Sequence, residues 1–337
     1  GGLPFLLSMR TGVLSVSLFA GYVLGTTGFP DLSLMQWNPH WQCVVWDLDN
    51  CSAEAGKALV NLLEEEDVDF ANLIEYVDPS DILPRNWSSM HISSGCGKDS
   101  LDLIYNRIRW TPANASATGC MQLIPPDRPY VIQEFAEVDG LERVIVIAAH
   151  FPHPNSYWDR SGGEMRLLRD ALQAFLKSTP TQRVLLLADA NEFDHASNAR
   201  IMDFLGVPVG PIVGTNLEAT CCYDNDFASW TTFDRIIANF GAVMETQVLF
   251  DPLPDWARSN WNGSKSAFHK GIHGYLYMDG DTAPIPQKLW HIWVLAAVIA
   301  ALALVGAGVL AQAILGSRGD RKREALADEA SGSELDS

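Results

Sequence analysis

An aspartate and an asparagine two residues apart, at the end of an apolar run, are the pair in this 337-residue chain best placed to do chemistry. Val184 to Leu187 carries no charge and reads as a buried strand. It opens into Ala188, Asp189, Ala190 and Asn191. Alternate side chains of a strand point the same way, so Asp189 and Asn191 can face one ligand together. A carboxylate there can hold a hard cation or take a proton from water, and a carboxamide can bind a phosphoryl oxygen. An Asx-type turn uses the same residue types, so the pair gains weight only from company. That company exists: Asn50 follows Cys43–Trp46, Glu75 ends the run from Phe70, His150 ends the run from Arg143, Asp234 lies in Thr231–Asn239, and His273 comes last. Coincidence at strand ends is what isolated matches lack.

The elements that must position these groups follow from periodicity. Strands are expected at Cys43–Trp46, Phe70–Tyr76, Leu101–Trp110, Tyr130–Glu137, Arg143–Ala149, Val184–Leu187 and Thr231–Asn239. Helices are expected at Ala53–Glu66, at Glu164–Lys177 with Leu168, Leu172 and Phe175 on one face, and near Asn198–Leu205. Strands interleaved with single helices describe a layered α/β or α+β domain. His269 lies four residues before His273, but Gly271 and Gly274 argue against a helical metal pair there.

A formal charge of −18 argues against a broad surface for nucleic acid. It does not exclude a hydrolase whose bound cation reverses the sign locally. Six cysteines show no CxxC pair; their even number permits disulfides whose pairing is open. Sequons at Asn50, Asn86, Asn114 and Asn262 agree mildly with a lumenal or extracellular face. Residues 1–30, with Met9-Arg10 before an apolar stretch to Gly25, have the layout of a signal peptide. Residues 31–288 form the globular part. From Ile292 to Ala311 there are 20 residues without a charge, with Trp290 and Trp293 at one end and Arg318, Arg321, Lys322 and Arg323 beyond the other. Residues 289–316 are therefore expected to span a membrane, with the tail 317–337 cytosolic and disordered.

Taken in order, WDLDN, IEYVDP, LDLIYNRIRW, VIVIAAH, LADAN, FDRII and IHGYL resemble the endonuclease/exonuclease/phosphatase superfamily, whose fold is deoxyribonuclease-I-like; the resemblance covers roughly residues 42–280. It implies an α+β fold, a four-layer α/β/β/α sandwich of two mixed sheets. It also implies Mg²⁺ (or Mn²⁺) held by Glu75 with help from Asn50, and a phosphoester substrate contacted by Asn191, Tyr105 and Arg107. Asp189 would orient or deprotonate water, His150 and His273 would contact phosphate or act as acid/base groups, and Asp234 would fix a histidine tautomer. The family's closing Ser-Asp-His is Gly271-Ile272-His273 here. A carboxylate is missing at that position, which admits a degenerate binding subunit as the alternative to an enzyme. Asn50 must stay unglycosylated if it lines the pocket. The charge and the membrane tether tilt the expected substrate from nucleic acid toward a lipid headgroup or small phosphoester; protein partners are not legible.

Overall fold

A computed structural model describes residues 31–45, 47–92, 95–123, 126–152, 164–191, 197–215, 219–221, 232–259 and 268–278. The segments expected as signal (1–30), membrane span (289–316) and tail (317–337) lie outside the described residues. Among the described residues no helix is long and apolar enough to cross a membrane.

The chain runs β1 (Leu32–Trp37), α1 (Trp41–Val45), α2 (Cys51–Glu65), β2 (Phe70–Ile74), β3 (Trp87–Ile92), β4 (Leu101–Asn106), β5 (Trp110–Pro112), β6 (Ala117–Leu123), β7 (Pro126–Glu137) and β8 (Arg143–His150). It continues through α3 (Arg166–Leu176), β9 (Val184–Asp189), α4 (Asn198–Leu205), β10 (Val213–Gly214), β11 (Asp234–Ala238), β12 (Val243–Val248), α5 (Asp255–Ser259) and β13 (Ile272–Tyr277). Six strands form one sheet in the order β12-β13-β1-β2-β4-β3. Seven form the other, in the order β10-β11-β9-β8-β7-β5, with β6 paired to β7.

Period-2 patterning decides which residues meet. On the inner faces Leu32, Leu34, Phe70, Leu101 and Leu103 of the six-stranded sheet share a core with Val144, Val146, Leu185, Leu187 and Ile236 of the seven-stranded one. On the outer face of the first sheet, Met35, Ala71 and Leu73 pack with Ala55, Leu59 and Leu63 of α2. On the outer face of the second, Ile145, Ile147 and Leu186 pack with Leu168 and Leu172 of α3 and with Ile201 and Leu205 of α4. Each such side chain contributes about 1.5–3 kcal/mol by leaving water, so burial on both faces holds the sheets between their helices. The result is the expected α/β/β/α sandwich.

Two expected elements differ. The run Cys43–Trp46 is not a strand: Trp41–Val45 is the short helix α1, with Cys43 buried among the side chains of α2 and joined to Cys51 by a disulfide. The first strand is Leu32–Trp37, which pairs in parallel with β2. The long strand expected at Leu101–Trp110 stops at Asn106, and Trp110 begins β5 in the other sheet.

β1 and β2 run parallel, as do β8 and β9. β11 and β13 are antiparallel to β9 and β1. The C-terminal ends of the four parallel strands and the N-terminal ends of β11 and β13 therefore gather at one edge of the sandwich. Polar side chains bridge the sheets beneath it: Asn72 Nδ2 donates to Gln36 Oε1 at 2.7 Å and to the Leu187 carbonyl at 3.0 Å.

Candidate active site

The end of β1 delivers Asn38, β2 leads into Glu75, β8 ends in His150, β9 ends in Asp189 and Asn191 follows it. Asp234 opens β11, and the chain entering β13 contributes His269. All of these except Glu75 are at most 7% exposed. Asp189 is the hub. Its Oδ2 accepts from Asn38 Nδ2 at 3.0 Å and faces His150 Nε2 at 3.5 Å and His269 Nε2 at 3.6 Å. Each imidazole is backed by a second carboxylate. His269 Nδ1 pairs with Asp234 Oδ2 at 2.7 Å, and His150 Nδ1 pairs with Asp99 Oδ2 at 2.8 Å. Gln36 Nε2 donates to the other Asp234 oxygen at 3.1 Å. Two histidine–carboxylate pairs thus converge on one carboxylate oxygen.

Arg128, near the start of β7, is a cation of this site: its Nη1 lies 3.4 Å from Asp99 Oδ2 and 3.7 Å from Glu75 Oε1. The loop carrying Asp99 is fastened to β6 by the Cys96–Cys120 disulfide.

Electrostatics follow this geometry. Burial disfavours the charged form of His269, but Asp234 and Asp189 outweigh it and raise the ring to about 9. Burial acts the same way on His150, and Asp99 again prevails, so its pKa also rises. Burial alone would raise Asp189; His269, His150 and the Asn38 hydrogen bond hold it below the usual carboxylate range. Glu75 moves up, chiefly through burial. His40, beside Glu75, is pulled down to about 3 by burial and by His269 and His150 around it.

Backbone strain marks the same place. His40, Glu75, Arg128 and Asn191 all have left-handed φ, at 71°, 55°, 64° and 43°, a region that L side chains seldom occupy and that recurs at functional sites.

Glu75, Asp99 and His150 each offer one ligand atom, all within 4.8 Å of one another, and could hold a divalent cation; Asp189, Asp234 and His269 form a second such group. Asp99 Oδ1 is buried without a hydrogen-bond partner, and a buried carboxylate oxygen left so is costly unless something binds it. The first group suits a hard cation with one nitrogen ligand admitted.

Of the residues singled out from sequence, Glu75, His150, Asp189, Asn191 and Asp234 come together. Four do not. Asn50 is exposed at the start of α2, and Asn38 is the asparagine that follows the first strand. Tyr105 pairs with Phe70 while Leu101 pairs with Ile74, so Tyr105 sits at the end of β4 remote from Glu75. It packs on Phe135 there. Arg107 lies beyond it, exposed, donating from Nε to the Arg85 carbonyl. His273 is opposite Met35 in the β1–β13 register and so faces outward, where its Nε2 lies 2.9 Å from Ser33 Oγ. Ile272 is fully buried in the inter-sheet core. The apparent loss of a carboxylate at Ile272 is therefore a core position, and the histidine beside Asp234 is His269, preceded by buried Phe268.

Sequence patterning does not select Asn38, Asp99 or Arg128, and it sets His269 aside. Leu32–Trp37 alternates well enough to have announced Asn38. Asp99, Arg128 and His269 follow no apolar run of four or more residues, and pattern alone could not select them.

No family model and no curated protein matches the sequence. Solved structures do. An endonuclease/exonuclease/phosphatase family protein from Bacteroides thetaiotaomicron is similar with a TM-score of 0.53 at 11% identity, over 75% of this chain and 97% of that one. TDP2 from Caenorhabditis elegans gives 0.54 at 16%, over 73% and 75%. The human Nocturnin catalytic domain gives 0.50 at 13%, over 74% and 96%. At such identities the likeness is one of fold: the chain is a deoxyribonuclease-I-like sandwich.

Proposed function

We propose that this chain, built on the fold of the endonuclease/exonuclease/phosphatase proteins, is a divalent-cation-dependent phosphoric ester hydrolase. The observation that carries the reading is the convergence of two histidine–carboxylate pairs on Asp189, with Glu75 and Arg128 alongside. Glu75 and Asp99, with His150 at their side, are the residues that would hold Mg²⁺ or Mn²⁺; the ion supplies polarisation of a phosphoryl oxygen and offsets charge in the transition state.

The chain's own groups do the rest. Asp189, kept ionised by its neighbours, takes a proton from the attacking water. Asn38 Nδ2 holds the accepting oxygen in place. Arg128 offers a guanidinium to the phosphoryl oxygens, the usual partner of a tetrahedral anion. His269, protonated at neutral pH and held by Asp234, presents its Nε2–H toward the same space and can donate to a phosphoryl oxygen or the departing alkoxide.

Charge of −18 disfavours a long nucleic-acid footprint and favours a lipid headgroup or small phosphoester. Disulfides at Cys43–Cys51 and Cys96–Cys120 support an oxidising, non-cytosolic location for the domain, with residues 289–316 as its membrane tether. Ile272, the residue that would favour a degenerate binding subunit, belongs to the core and carries no information about the cation site.

The test is Mg²⁺-dependent hydrolysis of a chromogenic phosphodiester by the full chain. Asp189→Ala is expected to lower the rate about 10²–10⁴-fold, the range for a lost general base. Equal rates in both proteins remove the catalytic reading.

A further inference from the structure

His40 stands beside the cation-binding carboxylates without a part in the scheme above. It lies in the turn between β1 and α1, with φ of 71°. A turn that had only to connect two elements would run more easily with glycine there. The conformation is held from both sides. The His40 N–H donates to Asn38 Oδ1 at 2.8 Å, and the other end of the Asn38 amide binds Asp189. Three residues on, Cys43 is tied to Cys51.

One hydrogen bond to the ring points to its tautomer. The Gln42 N–H donates to His40 Nδ1 at 3.3 Å. A ring nitrogen that accepts carries no proton, so in the neutral ring the proton sits on Nε2. That nitrogen faces Glu75 Oε2 at 3.8 Å, longer than a direct hydrogen bond, while the Trp41 N–H of the same turn donates to that oxygen at 3.2 Å. Glu75 Oε1 is left on the side of Arg128 and, through it, of Asp99 and His150.

We propose that His40 is a positioning residue: the strained Asn38–Gln42 turn steers one Glu75 oxygen and so presents the other to a divalent cation. This rests on the cation-dependent reading of the site and adds to it the group that orients the ligand, as outer partners of metal-bound carboxylates do.

The experiment measures Mn²⁺ binding to the full chain by calorimetry, without substrate. His40→Gly and His40→Asn both tolerate a left-handed backbone, and neither reaches Glu75 with a ring nitrogen. Both are expected to bind Mn²⁺ about tenfold more weakly or worse, while the thermal midpoint of metal-free His40→Gly stays level or rises. Unchanged affinity in both variants overturns the proposal, as does a lowered midpoint in both that accounts for the lost binding. Nitrogen-15 spectra of the wild-type protein give an independent readout: a His40 proton on Nε2 is expected, and one on Nδ1 overturns it. If the wild type fails to bind Mn²⁺, or Glu75→Gln binds it equally well, the cation site itself is refuted and this inference with it.

Discussion

His269 and His273 lie four residues apart, each nearly without solvent contact, and are driven in opposite directions. His273 sits on the outer face of β13, where burial prevails over the pull of Glu66 and lowers its pKa to about 4. His269 precedes the strand, and there two carboxylates prevail over an equally thorough burial and raise it to about 9. The comparison teaches that burial sets the default for a histidine, which is neutrality, and that only partners of opposite charge reverse it. Which partners a residue meets depends on strand parity and on the edge of the sheet that it reaches. A neutral His273 fills space and orders Ser33, whereas a protonated His269 can give up a proton.

Removing each ring breaks the comparison most sharply. His269→Ala should lower phosphodiester hydrolysis by about 10²–10⁴-fold, and His273→Ala should leave the rate at its wild-type value when both are assayed below their melting temperatures. A comparable loss in the two would mean that the outward placement of His273 is wrong. Next in size is the position between them. Restoring an acidic residue with Ile272→Asp should cost about 3–5 kcal/mol in denaturant unfolding, because it leaves a charge unpaired in the core. It should add nothing to Mn²⁺ affinity.

The two histidines also predict opposite slopes of stability against pH. The folded state holds His273 neutral, so the unfolded chain binds the extra proton between pH 6.5 and about 4. Stability therefore falls as pH drops through that window, by roughly 3 kcal/mol at the bottom of it. His269 works the other way. Its contribution is complete below 6.5 and is lost as pH rises through about 9. Unfolding curves collected across pH should show both limbs, His273→Phe flattening only the acid one and His269→Gln only the alkaline one. The smallest effect is expected farthest from the site. Tyr105→Phe and Arg107→Ala should leave KM for the phosphodiester unchanged, and a rise in either would return those residues to the substrate.

Much of this was legible before any coordinates. His150 and Asp189 each terminate an apolar run of four or more residues and Glu75 ends a strand broken only by Asn72, and a buried strand that ends in a polar group has to bring that group to a sheet edge. The helix α2 was visible in the apolar face of Ala58, Leu59, Leu62 and Leu63, and α4 in a stretch ending at Leu205. Less legible were groups supplied by connections. Asp99 depends on where a loop anchored by a disulfide folds back, and Arg128 on its own left-handed backbone near the start of β7. Asn50 stands out in the sequence because Cys43-Val44-Val45-Trp46 imitates a strand, whereas Trp41–Val45 is a short helix tied to α2 by a disulfide.

The sequence by itself determined the layered class, most of the strands and the acidic hub at Asp189, because hydrophobic periodicity is local and records which face of each element is buried. Tertiary structure alone decided that His269 rather than His273 meets Asp234, that Ile272 is core, and that Asp99 and Arg128 join Glu75. Those outcomes turn on register, on strand direction and on loop closure, which relate residues far apart in the chain and leave no periodic trace within any one segment.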